Sequence, residues 1–151
     1  MGLDISKLHV RRSILIQASP SRVWKEFESF DRLTVWFGRG HNLLAYEPKV
    51  GGQIELSVDR GSGLRTYGGE VLILENEREI SFSINWHDPS YAWPVPTLWT
   101  LRLTPLYDET LVEIFHHGFE RFGLAAADEL EGYEDGWDLT HLKALREIVE
   151  A

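Results

Sequence analysis

Apolar and polar residues alternate in several stretches of the chain, and this alternation predicts β-strands. In the most regular stretch, residues 80–86, isoleucine, phenylalanine and tryptophan alternate with serine and asparagine, so one face of that strand is apolar. Comparable patterns predict a first strand over Leu8–Gln17 and about six strands between residues 43 and 117. Turns rich in glycine, proline and asparagine separate these strands, which is typical of an antiparallel meander.

Helical spacing is confined to two regions. Ser19 followed by Pro20 is a typical helix start and predicts a short helix to about residue 30. Asp31 is predicted to cap a second short helix that ends at residues 38–40. From about Ala125 to Val149, apolar residues recur at steps of three and four, which predicts one long C-terminal helix.

These elements together predict an α+β fold. An open sheet with one apolar face must be covered, and only the C-terminal helix is long enough to cover it. We therefore expect a single domain, residues 1–151, with a curved antiparallel sheet of six or seven strands wrapped on that helix. Two short helices follow the first strand, and a cavity is expected between the sheet and the long helix.

Composition narrows the classes of partner and compartment. The 15 basic against 24 acidic side chains give a net charge of −9, which argues against nucleic acid and anionic membranes as partners. No apolar run approaches the ~20 residues that a transmembrane helix needs. The chain has no cysteine and no signal-peptide pattern, so a cytoplasmic protein is expected, as a monomer or a homodimer. Because neither a metal-ligand motif nor a phosphate-binding loop is present, we expect no metal and no cofactor.

Aromatic residues are abundant, with six Trp, seven Phe and five Tyr. They either build a large core or line the expected cavity. Ten residues fall on the predicted inner face or at its mouth and are the candidates for lining a ligand pocket: Trp36, Phe37, Phe82, Trp86, Trp99, His116, Phe119, Tyr133, Trp137 and His141. Tyr133 and Trp137 lie one helical turn apart on the face predicted to meet the sheet.

His116 has three possible roles on the inner face of the last strand. It could orient a ligand hydroxyl or carbonyl, act as a general base, or be a core histidine bonded to the backbone. The adjacent His117 points to the opposite face, so the pair cannot chelate one metal ion from the same side.

Seven short motifs, in order along the chain, resemble the activator of heat-shock-protein ATPase homologue-like family of the START/Bet v 1-like superfamily. They occupy Ala18–Trp24, Leu33–Phe37, Glu47–Gly52, Gly69–Val71, Ile80–Trp86, Thr110–Phe119 and Gly136–Trp137 followed by Leu142 and Leu145. The resemblance covers nearly the whole chain. It implies a helix-grip fold of the Bet v 1/START-like kind, in which a curved antiparallel sheet wraps on the C-terminal helix. One position departs from the pattern, because His141 stands where many members have a leucine.

The resemblance implies several functions and does not select one of them. The family contains co-chaperone-like domains and self-sacrifice resistance proteins for reactive natural products, and superfamily relatives bind lipids, hormones and polyketides. Our main hypothesis is the binding of a small hydrophobic molecule, aromatic or polyketide-like, in the cavity, without catalysis. The alternatives are a cyclase- or hydrolase-type enzyme using His116, Tyr133 or His141, and a co-chaperone-like module that activates a partner ATPase.

Overall fold

The structure is a computed structural model that describes residues 10–37, 41–59, 61, 63–90, 92, 95–118 and 140–151. Its seven strands are β1 (Val10–Ile16), β2 (Asn42–Tyr46), β3 (Gln53–Asp59), β4 (Leu64–Glu75), β5 (Glu79–Trp86), β6 (Thr97–Leu106) and β7 (Glu109–His117). The helices are α1 (Pro20–Trp24), extended by a 3₁₀ turn over Lys25–Phe27, α2 (Phe30–Leu33) and α3 (Thr140–Glu150). No described helix is both long and apolar enough to cross a membrane.

All seven strands form one antiparallel sheet in the order β1-β7-β6-β5-β4-β3-β2. Strands β2 to β7 pair with their neighbours in the chain, as the meander predicts. The first strand instead pairs with the last, with Ile16 opposite Thr110. The predicted antiparallel sheet of six or seven strands is therefore confirmed.

The two short helices begin at serine caps. The Ser19 hydroxyl accepts a hydrogen bond from the Arg22 amide, and Pro20 occupies the first turn, as predicted. The prediction that Asp31 caps the second helix is wrong. Ser29 is the cap, with its hydroxyl oxygen 3.2 Å from the Arg32 amide, because an extended Ser29 leaves its side chain in reach of that N–H.

A glycine pair in β4, Gly68 and Gly69, lies against the backbones of both neighbouring strands. Gly68 has φ +150°, and a Cβ there would collide with the carbonyl oxygen of Ile54 on β3. Neighbouring backbones can approach this closely only without a side chain, which makes the position specific for glycine. A β-bulge between Val71 and Ile73 adds further local twist.

The hairpin between β6 and β7 is tighter than its sequence suggests. Pro105 would be expected in a turn, but it pairs with Thr110 inside the ladder, and Leu106 pairs with Glu109. Only Tyr107 and Asp108 lie between the strands, and Tyr107 has φ +55° with its side chain fully exposed.

The core lies between the inner face of the sheet and α3. Leu142 and Leu145 of α3 are fully buried in the same apolar cluster as Trp99 and Leu101 of β6. The C-terminal end of α3 is hydrogen-bonded to the segment before α1. The backbone amide of Gln17 donates to the Glu150 carboxylate at 2.9 Å. The predicted C-terminal helix is confirmed over Thr140–Glu150, and its predicted part from Ala125 to residue 139 lies outside the described residues.

Candidate functional site

Three predicted site residues form a row across the inner face of the sheet. Phe82 on β5 lies opposite Trp99 on β6, and Trp99 lies opposite His116 on β7. The Phe82 and Trp99 rings stack with centroids 4.7 Å apart and an interplanar angle of 22°. All three side chains are almost completely buried, so this row is the floor of the core that the sheet forms with α3.

Phe37 connects this floor to the helix above it. Its ring centroid lies 5.4 Å from that of Trp99 and 6.1 Å from that of His141, in both cases close to edge-on. Trp36 packs edge-on against Phe37 at 5.5 Å and donates its indole N–H to the backbone carbonyl of Glu26. We call Phe37, Phe82 and Trp99, with His116 and His141 at their two ends, the aromatic wall.

His116 is the most deeply buried polar group of the wall. Its Nε2 lies 2.7 Å from the hydroxyl of Thr97, which is itself 3.3 Å from the carbonyl oxygen of Ile84. If the threonine donates its single proton to that carbonyl, its oxygen accepts from His116 Nε2–H. Burial, with a smaller contribution from the neighbouring His117, lowers the pKa of His116 to about 3. The ring is therefore neutral at physiological pH and too weakly basic for an efficient general base.

The sequence left open whether His141 or Leu142 faces the interior. Both are buried, with His141 7 % exposed and Leu142 fully enclosed. His141 thus places an imidazole against the edge of Phe37 where a leucine would offer only methyl groups. The departure from the family pattern makes the helix side of the wall more polar.

Trp86 belongs to a second aromatic group. It is half-buried, lies opposite Tyr67 of β4, and packs on that ring at 5.1 Å. Tyr67 in turn hydrogen-bonds His41 at the start of β2. The structure therefore brings six of the ten predicted residues together, Trp36, Phe37, Phe82, Trp99, His116 and His141, and sets Trp86 in this separate group. Phe119, Tyr133 and Trp137 lie outside the described residues.

Two residues that support the wall were missed by the sequence reasoning. Thr97, the partner of His116, is the first residue of β6. Glu26 was overlooked because carboxylates are seldom buried, yet its side chain is only 2 % exposed. It accepts from Arg22 at 2.8 Å and from Arg32 at 3.3 Å, which joins α1 to α2 just before Trp36 and Phe37. The Arg22–Glu26 spacing of four residues on a helix was the available signal.

Other features of the described residues do not extend this site. No group of three or more histidine or acidic side chains among them could hold a metal ion. A cleft of about 530 Å³ lies between Pro20, the turn Glu75–Glu79 and residues Arg102–Pro105. None of the ten predicted residues lines it.

Comparison with known proteins identifies the family and the fold. The family model described as "Activator of Hsp90 ATPase homolog 1-like protein" matches residues 17–150. No curated protein sequence matches the chain. A crystal structure of a Chromobacterium violaceum protein is similar, with a TM-score of 0.73 and 26 % identity over 95 % of this chain and 97 % of that one.

Two further solved structures share the fold at lower identity. DynU16, a protein in the dynemicin biosynthetic locus, has a TM-score of 0.68 and 22 % identity over 95 % of this chain and 47 % of its own. The Aha1 dimer from Colwellia psychrerythraea has a TM-score of 0.68 and 18 % identity over 94 % of this chain and 96 % of its own. These likenesses confirm the predicted helix-grip fold of the Bet v 1/START-like kind.

Proposed function

We propose that this chain, which belongs to the activator of Hsp90 ATPase homologue 1-like family, binds a small hydrophobic molecule between its sheet and its C-terminal helix. The observation that carries the proposal is the aromatic wall with a buried histidine at each end. A core built only for stability has no need of two imidazoles, because burying a polar group costs free energy that an apolar residue would not. The same groups can orient a ligand hydroxyl or carbonyl on flat aromatic surfaces.

The position of the wall fits such a role. Phe37 and Trp99 are in edge-on contact, and His141 extends the same surface onto α3, the helix that covers the sheet. The wall reaches the end of β7 at His116, from which the chain continues towards Phe119, Tyr133 and Trp137. We propose that these three residues complete the pocket, as the helical spacing of Tyr133 and Trp137 predicts.

The proposal is tested by thermal unfolding in the presence of a panel of uncharged polycyclic aromatic compounds. A compound that binds only the folded protein raises the melting temperature by mass action. We expect at least one compound of the panel to raise it, and we expect Trp99→Phe to weaken that response. Trp24→Phe is the matched control, since Trp24 is also a buried tryptophan but stacks on Phe27 of the 3₁₀ turn, outside the wall.

Both variants should lose stability, so the informative quantity is the shift that the compound produces in each. An equal loss of response in the two variants would mean that the compound does not sit on the wall. If no compound of the panel changes the melting temperature of the native protein, the ligand-binding proposal is wrong.

A second candidate function is co-chaperone-like activation of an ATPase, which the family description favours. It needs a surface that contacts a partner protein, and no pocket. Adding the purified chain to an Hsp90-type ATPase should then raise the rate of ATP hydrolysis in proportion to complex formation. Under this second function, Trp99→Phe would leave the stimulation unchanged once the fraction of folded protein is matched.

A further inference from the structure

The sheet ends in two edge strands, β1 and β2, which differ in charge and in how they are covered. β1 contains Arg11 and Arg12, and the chain directly after it is hydrogen-bonded to α3 by the contact between Gln17 and Glu150. The five residues of β2, Asn42–Tyr46, include no charged side chain and no proline. Edge strands commonly carry such residues because they discourage pairing with a further strand. The sequence of β2 therefore permits a pairing that the sequence of β1 opposes.

The backbone of β2 directs hydrogen-bonding groups away from the sheet at two positions. In an antiparallel ladder, directly opposed residues alternate between hydrogen-bonded and non-hydrogen-bonded pairs. The Glu47 amide donates to the Gln53 carbonyl at 2.9 Å, so the next pair, Tyr46 and Ile54, is a non-bonded one and the N–H and C=O of Tyr46 point outward. Leu43 lies opposite the β3 residue two positions beyond Ile54, which has the same orientation. The N–H and C=O of Leu43 therefore point outward as well.

The side chains of β2 give this edge an apolar centre. Leu43 and Tyr46 face the core and are buried, and Asn42 is exposed on the opposite face. Leu44 is the extra residue at the β-bulge between Leu43 and Ala45, and it is 49 % exposed. In a chain of net charge −9, an uncharged strand with an exposed leucine is a place where two copies can approach with little repulsion.

We infer that β2 is a homodimer interface, in which the β2 strands of two copies pair antiparallel across a two-fold axis and join the two sheets into one. Directly opposed residues lie on the same face of a sheet, and both Leu43 and Tyr46 lie on the inner face. The register that satisfies this condition sets Leu43 of one copy opposite Tyr46 of the other. The outward N–H and C=O of these residues then bond each other, and the two-fold axis repeats the pair.

The same register fits the side chains on the outer face. It places Asn42 of one copy opposite Glu47 of the other, so that the side-chain amide donates to a carboxylate on each side of the axis. The Glu47 carboxylate already accepts from the Gln53 amide at 3.1 Å and lies 3.9 Å from Lys49, which leaves further acceptor positions on its two oxygens. One strand thus provides both halves of the interface, which favours a second copy over a different protein as the occupant.

The interface is small, so the dimer is weak. Two strands of five residues bury far less than the about 1,200 Å² that stable protein interfaces reach. Leu44 makes the main apolar contribution, since it lies at the centre of the pairing beside Ala45 of the second copy. We expect a monomer at about 10 µM protein and a substantial fraction of dimer at about 1 mM.

Sedimentation equilibrium of the full chain and of two lysine variants tests the interface. Leu44→Lys places a cation at the centre of the pairing and should raise the dissociation constant of the dimer at least about tenfold. Leu15→Lys is the matched control, because Leu15 is a similarly exposed leucine of the other edge strand, at 44 %. Both variants change the net charge by the same single unit, and both positions are exposed enough for the fold to tolerate them. Leu15→Lys should leave the dissociation constant unchanged.

Hydrogen exchange of individual amides tests the register. In the dimer the Leu43 and Tyr46 amides are hydrogen-bonded, so their exchange should slow as the concentration rises from about 10 µM to about 1 mM. The Ala45 amide serves as the internal control, since Ala45 is the β2 residue that faces β3 between them, and its exchange should not change. In Leu44→Lys the slowing at Leu43 and Tyr46 should be lost.

Three results would overturn the inference. The first is a native protein that stays monomeric at about 1 mM. The second is an equal weakening of association by the two lysine variants, which would mean that added charge anywhere on the surface is enough. The third is association beyond a dimer, or association without slowed exchange at Leu43 and Tyr46, because neither agrees with a two-fold pairing of β2.

Discussion

At the level of residues, the burial of His116 determines the charge at one end of the wall. Thr97 holds His116 at 2.7 Å in an enclosed position where a proton on the ring would be costly. Desolvation lowers the pKa of His116 to about 3, against an ordinary value of 6.5. The unfolded chain therefore binds this proton more tightly than the folded protein does.

Stability should accordingly fall as the pH drops from 6.5 towards 3. At pH 5 the difference in proton binding of His116 destabilises the folded state by about 2 kcal/mol relative to pH 7.5. His116→Gln keeps a donor for Thr97 and removes the titration, so its unfolding free energy should change less over that range. Urea denaturation at the two pH values measures the difference, with His117→Gln as the control at a half-buried neighbour.

Variants at 116 and 117 that show the same pH dependence as the native protein would contradict the assignment of a low pKa to His116. The comparison between variants isolates the contribution of His116 to the pH dependence of the unfolding free energy.

At the scale of elements, Glu26 organises the junction of all three helices. Its carboxylate binds Arg22 of α1 and Arg32 of α2, and a second nitrogen of Arg22 lies 3.4 Å from the Ile148 carbonyl of α3. Its backbone carbonyl also accepts the indole N–H of Trp36. One buried charge thus fixes the segment that places Phe37 on the wall.

Glu26→Gln should destabilise the fold by about 1–3 kcal/mol, since it leaves two arginines without their buried carboxylate. Glu28→Gln, an exposed position in the same segment, should change stability by less than about 0.5 kcal/mol. Chemical denaturation of both variants measures the difference. If Glu28→Gln lowered the free energy of unfolding as much as Glu26→Gln, the buried ion pairs of Glu26 would not be the cause of its destabilisation.

The close approach of β3 to Gly68 in β4 gives a second prediction at this scale. Gly68→Ala should prevent folding or cost more than about 3 kcal/mol, because the methyl group meets the Ile54 carbonyl. Gly63→Ala is the matched control, with φ +132° and no atom within 4 Å of the position that its methyl group would take, so it should cost only about 1 kcal/mol. Thermal unfolding of the two variants distinguishes steric collision from backbone conformation alone. Equal losses in the two variants would show that the contact with Ile54 is not what makes Gly68 necessary.

Alternation and spacing predicted most elements because those signals are local. Strand β5 and the Ser19–Pro20 helix start followed directly from neighbouring residues. The cap at Ser29 and the tight turn at Tyr107 were missed, since both depend on backbone angles that several sequences can adopt. The spacing of Arg22 and Glu26 indicated an ion pair, but the burial of Glu26 and its second partner Arg32 could not be predicted, because Arg32 reaches it only when α1 and α2 are packed.

At the scale of the whole molecule, α3 closes the sheet through its apolar face. Leu145 is completely buried in the common core, so Leu145→Ala should cost about 2–5 kcal/mol. Lys143→Ala on the exposed side should cost less than about 0.5 kcal/mol. Hydrogen exchange of the β6 and β7 amides in Leu145→Ala measures whether losing this contact loosens the sheet as a unit. Protection lost only within α3 would mean that helix and sheet unfold separately.

The pairing of β1 with β7 has a consequence for the order in which the ribosome delivers the chain. Of the seven strands of the described sheet, β1 is synthesised first, but its hydrogen-bonding partner β7 is synthesised last. The hairpins from β2 to β7 need only local chain closure, whereas β1 closes the longest loop in the sheet. During translation Ile14 and Ile16 of β1 therefore stay exposed to solvent until β7 has been synthesised. We expect the nascent chain to need chaperone protection most during this interval.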